Sequence, residues 1–104
     1  MKLNELKLEV DYFEFDEKYY HKINPTPLKN PKLVSFNPLA CHLINLNYSE
    51  CETSDFVDFI NGSKILEGST PFAMAYAGHQ FGYFVPQLGD GRAINLGSVN
   101  NWHL

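Results

Sequence analysis

This sequence lacks long apolar runs, cysteine motifs and an apolar leader. Each of these absences argues against one class of protein. No run approaches the roughly 18 apolar residues of a membrane-spanning helix. Charged residues interrupt residues 1–10, so no secretory signal is expected there. The two cysteines, Cys41 and Cys51, form no Cys-x-x-Cys motif, which favours reduced structural thiols. The sequence therefore predicts a cytoplasmic protein without a membrane partner.

Positive charge is scarce as well. Eight Lys and Arg residues stand against twelve Asp and Glu residues, which gives a net charge of −4. An acidic chain has little electrostatic attraction for nucleic acid or anionic lipid, so we expect neither as a partner. The four histidines lie too far apart for a spacing-based metal motif. No Ser-His-Asp or Cys-His pattern stands out, so spacing alone predicts no metal ligands and no catalytic residues.

The residues that are present suit a folded α+β domain or part of one. The chain has 104 residues, of which 44% are hydrophobic and 14% aromatic, enough for a core. We divide it into an N-terminal extension (1–31), a region of mixed strand and helices (32–78) and a glycine-rich hairpin (79–104). The predicted fold is a small antiparallel sheet with two or three short helices.

The N-terminal extension, residues 1–31, is predicted to contain two extended segments. Leu6, Leu8 and Val10 alternate with charged residues, which indicates a half-buried strand or extended arm. Three prolines within residues 23–31 indicate an ordered extended connector. Between these two segments lies an aromatic cluster, which we expect to pack onto the domain rather than to bind a ligand; its members are Tyr12, Phe13, Phe15, Tyr19 and Tyr20.

The middle region is predicted to contain one strand and three helices. The strand is Lys32 to Phe36. A first helix has Asn37 as its cap and Pro38 at its first position, with a stripe formed by Leu39, Leu43 and Leu46. A second helix begins at Thr53 or Ser54 and stops at Asn61-Gly62. A third, short helix is capped by Thr70, opens at Pro71 and runs from Phe72 to Ala77.

Residues 76–99 contain a glycine-rich turn between two predicted strands. Tyr83 to Leu88 and Ala93 to Val99 are the strands, and Gly89-Asp90-Gly91-Arg92 connects them. Glycine amides can face an anion without interference from Cβ atoms, and an arginine is well shaped for phosphate oxygens. The pattern fits a phosphate-covering hairpin, but spacing alone favours an ordinary hairpin in which Asp90 forms the turn, because short glycine motifs recur by chance.

A dinucleotide-binding fingerprint fits these residues poorly. Ile94 stands where the third glycine of that fingerprint would be, and the residues after Arg92 look extended rather than helical. Beyond the second strand, Asn100-Asn101 suits a tight turn with positive φ, and Trp102 then begins a third strand. Pro86 implies an edge strand or a bulge near the end of the first strand.

Several motifs resemble the SelO/YdiU family. They are Ala75-Tyr76-Ala77-Gly78-His79-Gln80-Phe81-Gly82, Pro86-Gln87-Leu88-Gly89-Asp90-Gly91-Arg92-Ala93 and Leu96-Gly97, with Pro25-Thr26-Pro27-Leu28, Asn30-Pro31-Lys32-Leu33-Val34 and Gly68-Ser69-Thr70-Pro71 upstream. The resemblance runs from about Ile23 to Leu104. It implies a protein-kinase-like fold and the transfer of AMP from ATP, with Mg²⁺, to Ser, Thr or Tyr hydroxyls of protein substrates.

The same resemblance assigns roles to residues. Gly89 and Gly91 resemble the nucleotide-covering glycines, and Arg92 resembles the loop arginine that contacts the nucleotide. Ser98 stands where relatives usually have Glu. In relatives a phosphate-binding lysine follows the Trp-His-Leu segment, and the metal-binding and catalytic acids lie in a C-terminal lobe. The resemblance thus implies an N-terminal fragment that is inactive alone and binds ATP no better than millimolar.

Two other functions fit the same residues. The chain could be a non-catalytic protein-interaction module from a truncated or degenerate gene, self-associating through apolar faces that would otherwise meet the C-terminal lobe. It could also belong to a kinase that transfers the γ-phosphoryl group, since only the family resemblance selects AMP.

Overall fold

A computed structural model describes residues 1–88 and 93–104 of the protein. The fold is α+β, as predicted, with short elements throughout. The helices are α1 (Pro38–Leu43) and α2 (Ser54–Ile60), with 3₁₀ segments at Leu3–Glu5, Tyr12–Glu14, Glu17–Tyr19 and Tyr48–Glu52. The strands are β1 (Tyr20–Lys22), β2 (Phe72–Met74), β3 (Tyr76–Gln80), β4 (Tyr83–Leu88), β5 (Ser98–Val99) and β6 (Trp102–His103).

The strands pair in three antiparallel couples: β1 with β2, β3 with β4, and β5 with β6. The predicted pairing of residues 83–88 with residues 93–99 is therefore wrong, because β4 pairs with β3 instead. The two-residue connection Phe81-Gly82 has φ values of 52° and 80°, the left-handed pair that closes a tight hairpin. The predicted turn residues 89–92 lie outside the described residues.

The predicted helix from Phe72 to Ala77 is also wrong, because these residues form β2 and the start of β3. Phe72 and Ala73 are each only 2% exposed. Phe72 lies opposite Lys22 of β1 and forms a second antiparallel bridge with Asn95. Backbone pairing of Phe72 on both sides outweighs the tendency of Thr70 and Pro71 to begin a helix.

The core is built around the N-terminal arm. Leu3, Leu6 and Leu8 are 2%, 1% and 3% exposed, while Lys7 between them is exposed. The predicted extended arm is therefore confirmed up to Leu8, although it pairs only through a single bridge between Glu9 and Ser98. The other buried members of this core are Cys41, Leu46, Cys51, Phe59 and Leu66.

The arm is held by close backbone approach. The Leu8 N–H donates to the Glu67 carbonyl at 3.1 Å, which brings the Leu8 carbonyl against Gly68. A Cβ atom at Gly68, where φ is +80°, would overlap that carbonyl oxygen. At Gly97 a Cβ atom would lie 3.0 Å from the Leu8 Cβ. Both glycines are thus required for the arm to lie where it does.

Three members of the aromatic cluster, Tyr12, Phe13 and Tyr20, pack onto the domain as predicted, whereas Phe15 and Tyr19 are 57% and 46% exposed. Phe72 is its centre: its ring stacks on Tyr12 at 5.2 Å between centroids and meets Phe13 edge-on at 5.2 Å. The centroid of the Tyr20 ring lies 4.8 Å from that of the Phe13 ring. These contacts join the Tyr12–Glu14 segment, β1 and β2 into a second packed unit, with Phe72 itself 2% exposed.

Both helix starts follow their predicted caps. The Asn37 Oδ1 accepts a hydrogen bond from the Leu39 N–H at 2.9 Å, and Pro38 opens α1. The Thr53 Oγ1 accepts from the Phe56 N–H at 3.2 Å, and α2 ends before Asn61 and Gly62. Local side-chain chemistry therefore set these boundaries.

Two predictions for residues 32–46 are wrong. Residues 32–36 form no strand, and Val34 is 97% exposed. The leucine stripe does not face the core, because Leu39 and Leu43 are 75% and 46% exposed. Helix α1 ends at Leu43, and Asn45 then takes a φ of 58°, so Leu46 is buried from a turn rather than from the helix.

The proline-containing connector has no regular secondary structure, and it bends at residues 29–30, where Asn30 takes a φ of 50°, so the prediction of an extended segment is wrong at that point. The Asn61 side chain holds it by accepting from the Leu28 N–H at 3.0 Å and donating to the Leu28 carbonyl at 3.2 Å. The segment boundaries at residues 31 and 78 stay predictions.

Replacing Gly68 by alanine tests the close approach of the arm. We expect Gly68→Ala to lower the free energy of unfolding by about 3 kcal/mol or more, since the left-handed φ and the overlap with Leu8 both oppose it. Gly82→Ala is the matched control: φ is also +80°, but nothing lies within 4 Å of the added Cβ. Its cost should be about 1 kcal/mol or less. Equal losses in urea unfolding would contradict this account.

The β3–β4 turn offers a second test. Phe81 is a bulky residue at a φ of 52°, a conformation that asparagine adopts more readily. We expect Phe81→Asn to slow amide hydrogen exchange in β3 and β4 by about two- to five-fold. Tyr83→Asn, at an exposed strand position, should speed exchange because it lowers strand propensity. Faster exchange in Phe81→Asn would mean that the aromatic ring stabilises the hairpin.

Candidate functional site

The candidate site is the glycine-rich segment that follows β4. Gly89, Gly91 and Arg92, the predicted nucleotide-binding residues, lie outside the described residues, as does Asp90. Their phosphate-binding role therefore stays a prediction. Both flanks of the segment are described, and they determine where it leaves and rejoins the domain.

The leading flank is anchored through β3. Tyr76 lies opposite Leu88 and Gln80 opposite Tyr83, but the register shifts in between. Residues 85 and 88 of β4 face residues 78 and 76 of β3, so β4 carries one extra residue, a bulge at Pro86-Gln87. This confirms the prediction made from Pro86. The Gln87 Nε2 donates to the Lys18 carbonyl at 2.9 Å and ties the bulge to the residue that precedes Tyr19 of the aromatic cluster.

The returning flank is anchored on β2. The Phe72 N–H donates to the Asn95 carbonyl at 3.0 Å, and the Asn95 N–H donates to the Phe72 carbonyl at 2.8 Å. The Asn95 Oδ1 also accepts from the Gly97 N–H at 3.1 Å. Both ends of the glycine-rich segment are thus attached to structure that is paired with, or packed on, Phe72 and its neighbours.

The turn between β5 and β6, beyond the returning flank, forms as predicted. Asn100 and Asn101 have φ values of 49° and 64° and connect β5 to β6. Across this pair the Ser98 Oγ and the His103 Nδ1 are 2.8 Å apart. In the part of the chain that the structure describes, no carboxylate is hydrogen-bonded to His103, so the pair is a cross-strand contact rather than a catalytic triad.

Two adjoining clefts lie beside the returning flank. One, of about 230 Å³, is mainly apolar and is lined by Tyr12, Phe72 and Met74 among others. The next, of about 460 Å³, is polar. Glu9 and Asp11 border both clefts, and Lys7 is the one Lys or Arg side chain at their border among residues 1–88 and 93–104. Two carboxylates against one ammonium repel a free triphosphate, so these clefts suit a cation or an uncharged group.

Ser98 faces an acidic neighbour. Its backbone pairs with Glu9, with the Ser98 N–H donating to the Glu9 carbonyl at 2.7 Å and the Glu9 N–H donating back at 2.9 Å. A glutamate at position 98 would set two carboxylates opposite each other, which is unfavourable across a strand pair. Serine avoids that repulsion and bonds His103 instead.

The other three histidines lie on different elements of the fold. His79 is exposed on β3 and meets Phe84 edge-on at 5.6 Å, while His21 and His42 are exposed on β1 and α1. Within the described ranges, no three His, Cys, Asp or Glu side chains come together as metal ligands. No helix among those residues has the length and apolarity needed to cross a bilayer.

Sequence reasoning missed two features. The first is a set of four exposed aromatic side chains on the β3–β4 hairpin, Tyr76, Phe81, Tyr83 and Phe84, which are 55%, 90%, 76% and 61% exposed. Two residues, Phe81 and Gly82, separate the two strands, and a two-residue connection that contains glycine is a pattern typical of a tight hairpin. The second is the contact between Cys41 and Cys51, whose Sγ atoms are 3.3 Å apart. Their separation in sequence gave no signal for it.

Comparison with known proteins identifies the family. The family model described as "Protein adenylyltransferase SelO" matches residues 2–103. A protein from Myxococcus xanthus named "Protein nucleotidyltransferase YdiU" is 43% identical over 99 residues, which are 95% of this chain and 20% of that protein. Proteins of the same name from a Bradyrhizobium species and from Thiobacillus denitrificans are 48% and 41% identical, over 85% and 95% of this chain and 18% and 20% of theirs.

The chain thus spans about a fifth of the length of the curated relatives it matches. The match covers the arm, the aromatic cluster, both helices and the glycine-rich segment. This chain belongs to the SelO family, a family of protein nucleotidyltransferases.

Proposed function

We propose that this chain forms the N-terminal part of a SelO-like enzyme of protein-kinase-like fold, which transfers AMP from ATP to Ser, Thr or Tyr hydroxyls of proteins. In this proposal Gly89 and Gly91 cover the nucleotide and Arg92 contacts it, with Mg²⁺ as the metal. The observation that carries the proposal is the family match over residues 2–103, which includes the glycine-rich segment.

The anchoring of that segment supports the role. Nucleotide transfer depends mainly on positioning and on neutralising phosphate charge. The described residues on either side of that segment are held by backbone pairing, β4 by β3 and Asn95 by Phe72, so both flanks are fixed before a nucleotide binds.

Charge limits what this chain would do by itself. Arg92 is the only arginine in a chain of net charge −4. Its attraction for an exposed phosphate is only ~1 kcal/mol in water. Capturing a free ligand costs ~4 kcal/mol or more in translational and rotational entropy. We therefore propose that the 104 residues alone bind ATP no better than millimolar and transfer nothing, while the remaining four-fifths of the enzyme supplies the other phosphate and metal contacts.

A second candidate function rests on the four exposed aromatic side chains of the β3–β4 hairpin. Tyr and Phe are enriched at protein interfaces, and Phe81 is 90% exposed at a strained backbone position. These features support a non-catalytic interaction module that self-associates or binds another chain. Sedimentation of the free chain separates the two functions: a stable dimer indifferent to ATP supports the interaction module.

An amide titration tests the nucleotide role. We expect Mg²⁺–ATP to shift the amide signals of residues 88–93 with a millimolar midpoint, since only glycine amides and one guanidinium contact the phosphates. Arg92→Ala should weaken the shifts strongly, whereas Lys29→Ala, which removes an equal charge from an exposed connector position, should not. Saturation at micromolar ATP would refute the weak-binding claim, and equal responses of both variants would refute the role of Arg92.

A chimera tests the enzymatic role. Residues 2–103 would replace the matching fifth of the Myxococcus xanthus relative, and transfer from ATP labelled on the adenine would be measured on protein acceptors. We expect AMP transfer, reduced at least ten-fold by Arg92→Ala but not by Lys29→Ala. Transfer of label from ATP labelled on the γ-phosphate, with none from ATP labelled on the adenine, would favour a kinase instead. A folded chimera without either activity would contradict the proposal.

A further inference from the structure

The buried cysteine pair is the feature that the proposed function does not use. Cys41 lies in α1 and Cys51 in the 3₁₀ segment Tyr48–Glu52. Their Sγ atoms are 3.3 Å apart, and the residues are 6% and 0% exposed. A disulfide bond is about 2.05 Å long, so the sulfurs need to approach by only about 1.3 Å. The two elements already pack on each other through this contact.

The two thiols differ in access. Cys41 forms part of the wall of an open, apolar cleft of about 460 Å³, beside Phe36, Ile44 and Phe56. Cys51 does not border that cleft in the described part of the chain. The cleft therefore gives a small uncharged oxidant such as hydrogen peroxide a route to Cys41 before Cys51.

The two thiols also differ in chemistry. Burial raises the pKa of the Cys51 thiol to about 12, and the contact with Cys41 and the nearby Glu50 and Glu52 carboxylates add to the rise. Cys51 thus stays protonated at neutral pH and is a poor first nucleophile, because the thiolate is the reactive form. Its position beside Cys41 suits it to the second step.

We propose that Cys41 and Cys51 form an oxidative modification site at which hydrogen peroxide converts the two thiols into a disulfide. The Cys41 sulfur attacks one peroxide oxygen, the O–O bond breaks, and the other oxygen leaves as water with the Cys41 proton. Cys41 is now a sulfenic acid. The Cys51 sulfur then attacks the Cys41 sulfur, the S–O bond breaks, and the oxygen leaves as water with the Cys51 proton. Two thiols and one peroxide give one disulfide and two waters.

The cross-link would change one wall of the apolar cleft. It would tie α1 to the Tyr48–Glu52 segment, between residues ten apart in sequence, in the core that also holds Leu3 and Leu6. A covalent link of this kind restricts the unfolded chain and fixes the packing of both elements. The inference is independent of the nucleotidyltransferase proposal, because every readout below is made on the thiols.

Proteolysis and mass measurement test the proposal on the free chain. Glu50 is the only acidic residue between the two cysteines, so a protease that cleaves after glutamate separates them. After peroxide treatment of the native chain, we expect the intact mass to fall by two hydrogens. The Cys41 and Cys51 peptides should remain linked until dithiothreitol is added, and the midpoint of thermal unfolding should rise and return on reduction.

Trapping with dimedone tests the order of the two steps. In Cys51→Ala we expect Cys41 to accumulate as a sulfenic acid that dimedone captures, with no linked peptide. In Cys41→Ala we expect Cys51 to remain a thiol at the same peroxide dose. The reverse pattern, with Cys51 trapped and Cys41 untouched, would overturn the assignment of the first nucleophile.

Comparison of the native and urea-unfolded wild-type chain covers the case in which the variants fail to fold. With dimedone present, the ratio of linked to trapped product should be at least about ten-fold higher in the native chain, because the second sulfur is already in place. The proposal fails if the native chain keeps both thiols, if Cys41 is over-oxidised without a link, or if the disulfides formed join different chains.

Discussion

The close approach of the N-terminal arm to two glycines is the constraint on which this fold depends. Leu8 lies against Gly68 on one side and Gly97 on the other, and neither position has room for a Cβ atom without displacing the arm. The arm in turn contributes Leu3, Leu6 and Leu8 to a core that has few other large members. In a chain of this size, the loss of even one such segment would remove much of the buried apolar surface.

The same contact connects the core to the candidate site. Glu9 follows Leu8 and pairs with Ser98, which belongs to the segment that returns from the glycine-rich residues. Asn95 in that segment is bonded to Phe72, at the centre of the aromatic cluster. The arm, the aromatic cluster and the returning flank therefore support one another through short backbone contacts.

Features set by neighbouring residues were predictable from the sequence, and features set by distant partners were not. Asn37, Thr53 and the pair Asn100-Asn101 each form the cap or turn that their side chains favour. Phe72 shows the limit: its sequence neighbours indicate a helix start, yet its pairing with Lys22 and Asn95 makes it a strand. The burial predicted for Leu39 and Leu43 is wrong for a related reason, because α1 is too short for its periodicity to determine which side chains are buried.

The site was predictable mainly by resemblance. The family motifs identified the family, which the comparison confirms, and Pro86 indicated the bulge beside the glycine-rich segment. The partner of β4 was mistaken because Gly89–Arg92 looked like the better turn, whereas Phe81-Gly82 closes the hairpin despite the cost of a left-handed phenylalanine. Contacts between residues far apart in sequence, such as Cys41 with Cys51, leave no local pattern to read.

The bulge at Pro86-Gln87 has a further consequence for how this chain behaves at high concentration. Among the residues described, β4 has β3 as its only strand neighbour, so its outer edge offers backbone groups to any extended chain that meets it. Pro86 has no N–H to offer, and the extra residue breaks the regular spacing of the edge. A strand from another chain could therefore pair in register with only part of β4. This interruption disfavours edge-to-edge pairing of the hairpin into fibrils.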